Sequence, residues 1–463
     1  MKNFVKQISI YGILPVFGKF IGFFLIPIYT RVFSTHDFGI LEIFITLVAF
    51  STFLCNLEIY SAIGRFFYEK DDRARIKMIS TGLYTTVFSS ISVIIFLIIF
   101  TNRITAFFHV SNYLVEYRIA VIWLLVSAIS TYLSVIPRYL KRAKQYVILS
   151  SIVILVRVFS TIFFVLILRI GIKGILLGHL AGATSGLLLY GWEARKLLST
   201  KFDFGDLKAI LKFSIPLVPG LFIYGLWQPL SRKLIVEMTT IETLGIVSFS
   251  LKLLGFLALA QSAIRLAWRP LLFESFTKPE FKQEISKISK DIGVYLLSFS
   301  FFFIIFGTEV VHLIGTDKYY NASLILGLLA IEWIILILFN IRGVGPLVNK
   351  KTYINSIVEF IHLALGVALL YALTPKYGLI GIGLAFVISS GIKYLLIIYY
   401  TKFKLKITFT QPLEYVLWMF VFAAVVLSIY NVNIILRITF SFALVVLLYF
   451  TMLRNIMQKI GKG

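Results

Sequence analysis

Ten ionisable side chains fall inside stretches of sequence too apolar to hold them cheaply: Lys19, Arg157, Lys252, Arg265 and Lys393, the carboxylates Glu58, Glu332 and Glu359, and the imidazoles His179 and His362. A charge at the centre of a bilayer-spanning helix costs about 2.5–3.5 kcal/mol on insertion scales, so such residues turn toward a polar interior and mark a function. Lys19, Arg157 and Lys252 sit deepest in their stretches. Arg265 and Lys393 are close enough to an end to snorkel toward headgroups. Glu359 and His362 are three apart, on one face of a helix, where a carboxylate and an imidazole can share a proton or simply hold a structural hydrogen bond. Five cations against three carboxylates would make an interior with excess positive charge. Such an interior attracts an anion, and Arg and Lys bind diphosphates through charge-assisted hydrogen bonds. Tyr11, Tyr60, Tyr84, Tyr224 and Trp227 could add hydroxyl and ring contacts for sugars, although aromatic residues also form interfacial belts.

The elements that must position these groups are membrane helices. The chain has 463 residues, 59% hydrophobic and 14% charged, with a mean hydropathy of +0.94. An ordinary soluble chain is about 25% charged. Apolar runs long enough to cross about 30 Å of hydrocarbon recur along its whole length. We read fourteen spans, at 8–29, 40–64, 79–100, 119–136, 147–168, 172–192, 213–231, 243–267, 292–314, 321–341, 352–372, 378–399, 413–430 and 434–453. The fold class expected is therefore an all-α integral membrane protein. With the N-terminus inside, the inner connections collect two-thirds of the 45 lysines and arginines, and no outer connection holds more than two. This bias persists to the C-terminus, which places both termini in the cytoplasm. The net charge of +24 is then mostly topology and calls for no nucleic-acid partner.

Cys55 is the single cysteine and lies within an apolar run, so neither a disulfide framework nor a cysteine metal site is available. No metal or other cofactor is expected. The N-terminal apolar run is too long for a signal peptide and ends in Tyr29-Thr30-Arg31, which suits an uncleaved first helix. Ser275 to Asp291 reads as an amphipathic helix lying on the inner leaflet, with Phe281, Ile285 and Ile288 on one side.

An internal repeat ties the chain together. At a constant offset of 206, Lys6 falls on Lys212 and Phe38-Gly39-Ile40 on Leu244-Gly245-Ile246, each with a polar turn between two apolar spans. Repeats of this kind build transporters from two lobes around a midplane site. The charge is not repeated, since Glu237 stands opposite Arg31.

Pro27-Ile28-Tyr29-Thr30-Arg31-Val32-Phe33-Ser34, followed by Asp37-Phe38-Gly39, resembles the junction of helices 1 and 2 in polysaccharide flippases of the Wzx type. Thr239 to Ser248 resembles the matching junction of their second lobe. These flippases belong to the multidrug/oligosaccharidyl-lipid/polysaccharide exporter superfamily. The resemblance implies two six-helix lobes around a central cavity, residues 1–200 and 201–400, with two additional helices in 401–463. It also implies alternating access, and a substrate of undecaprenyl-diphosphate-linked oligosaccharide moved from the inner to the outer leaflet of the bacterial cytoplasmic membrane. The product would serve O-antigen or capsule biosynthesis, with a polysaccharide polymerase and a chain-length regulator as partners. By motif only Arg31 carries over, as a residue closing the end of helix 1 or as a further cation of the cavity. Transport by antiport would use H+ or Na+, with Glu58, Glu332, Glu359, His362 and His179 as candidate carriers.

Two other functions compete. A cation-coupled exporter of amphipathic drugs from the same superfamily would want an anionic or neutral cavity. A membrane glycosyltransferase or polymerase would want a sizeable outer loop with catalytic residues, and the segments at 101–118 and 312–320 offer only Glu116, Asp317, His109 and His312.

Overall fold

The computed structural model describes residues 25–255, 281–349, 353–407, 412–430 and 432–460, with a few isolated positions besides. Lys19 and Arg265 lie outside the described residues. All regular structure among those described is helical. The first half comprises α1 (25–32), α2 (Thr35–Asn56), α3 (Ile59–Phe66), α4 (Asp72–Ile99), α5 (Thr101–Phe107), α6 (Leu114–Ser134), α7 (Ile136–Tyr139), α8 (Ala143–Ile162) and α9 (Ile172–Ala194). A linker helix, α10 (Phe204–Ser214), leads to α11 (Val218–Met238), α12 (Ile241–Leu253), α13 (Phe281–Ile305), α14 (Gly307–Ile314), α15 (Ser323–Arg342), α16 (Gly345–Val348) and α17 (Tyr353–Leu405). The chain closes with α18 (Pro412–Ile429) and α19 (Ile434–Ile460).

Among the described residues nine helical stretches are long and apolar enough to cross a bilayer, and Leu413–Ile429 and Ile434–Leu447 are shorter apolar helices. One of the nine, α17 with 53 residues, is two crossings joined at Gly378, whose φ of 54° suits glycine. The first and eighth expected spans run into residues outside the described set. The protein is an all-α, multi-pass membrane protein of the expected fourteen-helix plan.

Several boundaries differ from the sequence expectation, because charge content is a poor guide to where a helix stops. The span at 40–64 breaks at Leu57 and Glu58, both left-handed, with φ of 44° and 56°. The expected surface helix at Ser275 to Asp291 is corrected: its described part, from Phe281, is the start of the spanning helix α13, with Ile285 and Ser289 fully buried. Residues 275–280 lie outside the described residues.

The repeat is physical. Ser34 caps α2, its hydroxyl accepting from the Asp37 N–H at 3.1 Å, and Thr240, 206 residues on, caps α12 by accepting from the Thr243 N–H at 3.2 Å. These two helix starts pack on each other. A Cβ on Gly39 would overlap the Ile241 carbonyl oxygen, and a Cβ on Gly245 would overlap that of Thr35. Thr35 and Ile241 are themselves 206 apart, so the contact is reciprocal, as between two copies of one motif. Small residues at crossings let membrane helices approach backbone to backbone. Around the crossing, Thr30 Oγ1 donates to the Ile314 carbonyl (3.0 Å), Thr316 Oγ1 to that of Thr30 (3.2 Å), and the Tyr319 hydroxyl to that of Phe33 (2.9 Å). Phe38, Phe249 and Tyr319 pack ring on ring beneath. The halves are thus sealed at this end.

Around α3 and the start of α4 a second apolar cluster, including Ile63, Met78, Tyr132 and Ile210, docks the linker onto the first half. Lys70 pairs with Asp206 at 2.6 Å and Lys77 with Asp203, while the Asp203 N–H donates to Thr81 Oγ1 at 3.1 Å. The Asp203 carboxyl is held below the usual carboxylate range, first by the hydrogen bond from Lys77 and then by the Asp206 N–H. Its folded value lies under its unfolded one, so its contribution is complete above about pH 4 and is lost as pH falls through the lower value. Hydrogen exchange of α10 is expected to quicken in that acid range in the wild type. In Asp203→Asn the faster exchange should already be present at neutral pH.

Candidate functional site

Between the halves, just inside the sealed crossing, lies a cavity of about 310 Å³ lined by Glu42, Trp227, Arg232, Lys252, Glu332, Trp333 and Phe386, among others. Each of its helices supplies a residue for a local reason. Glu42 follows Gly39 by three positions, so the crossing that needs glycine also delivers this carboxylate to the boundary. Arg232 follows Pro229 by three in α11, where the missing N–H loosens the helix. Lys252 lies at the end of α12, its Nζ 5.1 Å from the centre of the Phe38 ring.

Glu42 Oε1 accepts from Arg232 Nε (3.2 Å) and Nη2 (3.1 Å), and its Oε2 accepts from Lys252 Nζ (3.5 Å). Arg232 Nη1 donates to Ser231 Oγ at 3.2 Å. Lys252 therefore lines the cavity but is paired. Counting Glu332, the described residues that line the cavity are two cations and two carboxylates, not a cationic excess; Lys19 and Arg265, two of the five expected cations, lie outside the described residues.

A polar strand runs from the cavity into the second half. Both halves of α17 contribute to it. Lys393 Nζ is 2.7 Å from Glu359 Oε1, and His362 Nδ1 is 3.9 Å from Glu359 Oε2. His362 Nε2 is 3.4 Å from Ser390 Oγ. Ser390 in turn lies beside Glu332 of the cavity wall. Trp227 covers His362 with ring centres 5.0 Å apart, and Phe339 and Tyr224 flank the Lys393 ammonium. Glu359 and His362 share a helix face but stand beyond hydrogen-bond distance, and Lys393, whose side chain is 3% exposed, is the counter-ion of Glu359 rather than a free cation or a snorkelling one.

The other expected residues lie apart. Arg157, on α8, has no carboxylate partner among the described residues; it faces Tyr29 of α1 and packs its stem on Gly182 of α9. The His179 ring lies against that of Trp123, 4.6 Å between centres and tilted by 37°. Glu58 is used up in its helix break, where its oxygens accept from the Tyr60 hydroxyl (2.6 Å) and the Ser61 hydroxyl (2.5 Å). Arg31 is exposed and donates to the Pro27 carbonyl at 2.8 Å, closing its own helix outside the cavity.

Glu42 and Arg232 are absent from the sequence expectation. Ending the seventh span at 231 put Arg232 in a connection, whereas α11 continues to Met238. Glu42 stood near the edge of its span, yet α2 begins a full turn earlier at Thr35. The detectable signal was mutual: one carboxylate and two cations near the ends of repeat-related helices. Among the described residues no group of three or more His, Cys, Asp or Glu could hold a metal.

Solved structures with this fold include the lipid II flippase MurJ in an inward closed conformation, 14% identical with a TM-score of 0.73, covering 96% of this chain and 99% of that one. They also include an inward-facing multidrug resistance MATE family transporter of the MOP superfamily, 11% identical at a TM-score of 0.60, covering 86% and 98%. VcmN, a MATE transporter of Vibrio cholerae, is 14% identical at 0.58, covering 89% and 98%. At these identities the likeness is one of fold. No curated protein matches the sequence. The sequence pattern of the family described as polysaccharide biosynthesis protein matches residues 28–324, from the α1–α2 junction through the second copy of that motif and on into α15. With well over half of the chain so matched, the protein belongs to the polysaccharide biosynthesis protein family.

Proposed function

We propose that this protein moves undecaprenyl-diphosphate-linked oligosaccharide from the inner to the outer leaflet of the bacterial cytoplasmic membrane by alternating access, acting as a transporter and not as an enzyme. The observation that carries this reading is the reciprocal Gly39–Gly245 crossing, which closes two repeat-related halves over one cavity at one end of the molecule. Membership of a polysaccharide biosynthesis family and the fold of a lipid II flippase support it. The halves correspond to residues 1–200 and 201–400, with 401–463 as an added helix pair. The lysine and arginine bias sets both termini in the cytoplasm and the sealed crossing on the outer side. Glu332, Glu359 and His362 are the carriers for H+ or Na+ coupling. O-antigen or capsule assembly, with a polymerase and chain-length regulator beside it, is the setting the chemistry suits.

A second reading, export of organic cations, rests on the cavity wall, in which Glu42 and Glu332 stand beside Trp227, Trp333 and Phe386. Rings and carboxylates together recognise such cations. Liposomes holding purified protein and labelled undecaprenyl-diphosphate oligosaccharide separate the two. The wild type is expected to carry the sugar across the bilayer. Lys252→Ala, which removes a cation of the cavity wall, should slow it roughly ten- to a hundred-fold, the worth of one charged hydrogen bond of about 1.5–3 kcal/mol. No movement, together with saturable binding of an organic cation, would replace the first reading by the second.

A further inference from the structure

Glu42 is the one carboxylate of the first half that reaches into the cation pair of the second. Arg232 comes from α11 and Lys252 from α12, and both converge on its two oxygens at 3.1–3.5 Å. Apart from a 4.0 Å contact between His36 and Glu242, these are the ion pairs among the described residues that join α1–α9 to α11–α19. The cations are positioned without the carboxylate as well: Ser231 accepts from Arg232, and the Phe38 ring lies under Lys252. The Glu42 and Lys252 side chains are 14% and 26% exposed, and both line the cavity. A guanidinium and an ammonium converging on one point from two helices form a receptor for a phosphate as readily as for a carboxylate.

We propose that Arg232 and Lys252 are an anion site for the diphosphate of the transported lipid, and that Glu42 is its built-in occupant, displaced when the substrate loads. A diphosphate brings more charge and more acceptor oxygens than one carboxylate, so it wins the two cations. Glu42 belongs to the other half, so its displacement removes the ion-pair tie between the halves just inside the crossing. Loading the site and unlocking the halves are then one event, and an empty transporter stays locked. This rests on the flippase reading for the identity of the anion, whereas the competition itself can be measured without transport.

The test uses full-length purified protein in detergent micelles with inorganic pyrophosphate as the probe, followed by calorimetry and by the fluorescence of Trp227 and Trp333. Glu42→Gln keeps the shape and removes the competing charge. It is expected to tighten pyrophosphate binding by at least about tenfold, the low end of coupling for close charge pairs. Arg232→Gln should lose binding, and Lys252→Gln, at a less buried position, gives the same reading should Arg232→Gln fail to fold. Equal or weaker binding by Glu42→Gln overturns the proposal, as does binding that survives in Lys252→Gln, or none in any variant. Tighter binding by Glu42→Gln in a protein that moves no lipid in liposomes upholds the anion site and removes the flippase reading alone.

Discussion

Glu414→Ala is expected to cost about 3–5 kcal/mol of stability, the usual penalty for leaving half of a buried ion pair behind. Arg342 and Glu414 are 0% and 1% exposed at the side chain, and their pairing is bidentate, Nη1 to Oε1 at 2.7 Å and Nη2 to Oε2 at 2.9 Å. Nε donates to Ser289 Oγ (2.9 Å), Nη2 also to the Ser289 carbonyl (3.2 Å), and Nη1 also to the Tyr394 hydroxyl (2.8 Å). All five guanidinium N–H groups are therefore used, across α13, α17 and α18. Remove the carboxylate and a charge stays where no water reaches it. Because burying the pair was itself expensive, Arg342→Met combined with Glu414→Leu should recover most of the loss. Thermal unfolding in lipid-supplemented detergent reads both. An unchanged midpoint for Glu414→Ala would mean that Arg342 is hydrated and that the pair contributes little. The other end of the added helices has its own tie, Arg437 to Glu309 at 2.9 and 3.0 Å, so α18 and α19 are held to the second half near both ends.

The second large effect is expected at the crossing. Gly245→Leu puts a branched side chain where even a methyl group would overlap the Thr35 carbonyl, and Gly39→Leu does the same against Ile241. Backbone cannot yield as a side chain can, so the helix starts must separate. Overpacking of this kind costs about 1–3 kcal/mol. Lipid movement in liposomes should fall much further than stability, because the same separation prevents the halves from closing over the cavity and takes Glu42 away from Arg232 and Lys252. The reciprocity makes the prediction sharper, since both substitutions should give one phenotype. Gly391→Ala, with nothing within 4 Å of the added carbon, is the control and should stay within about 0.5 kcal/mol of wild type. Transport retained by either leucine variant would show that the crossing opens without being needed closed.

Much of the architecture was legible in the residues. Span length is set by the thickness of the bilayer, and the alternation of cation-rich and cation-poor connections follows from insertion, so both can be counted along a chain without knowing its neighbours. The repeat of Phe38-Gly39-Ile40 as Leu244-Gly245-Ile246 was legible too, together with the common side of Glu359 and His362, because three-residue spacing fixes a shared helix face. What failed was the assignment of charges near span ends. A helix does not stop where hydropathy falls; α2 starts ahead of its apolar run and α11 runs past the end of its own, which drew Glu42 and Arg232 inside.

The sequence by itself determined that this chain is a bundle of membrane helices in which one helix-start motif recurs 206 residues on, and that charges lie within it, because those properties are read from neighbouring residues. Only the tertiary structure decided which charge meets which. Glu42 is 190 residues from Arg232 and 210 from Lys252, and Arg342 is 72 from Glu414. In a low-dielectric interior a cation without a partner and a cation held by a carboxylate differ by several kcal/mol, yet they look alike along the chain. Whether an interior is cationic or balanced depends on distances that only the packing of the two halves sets.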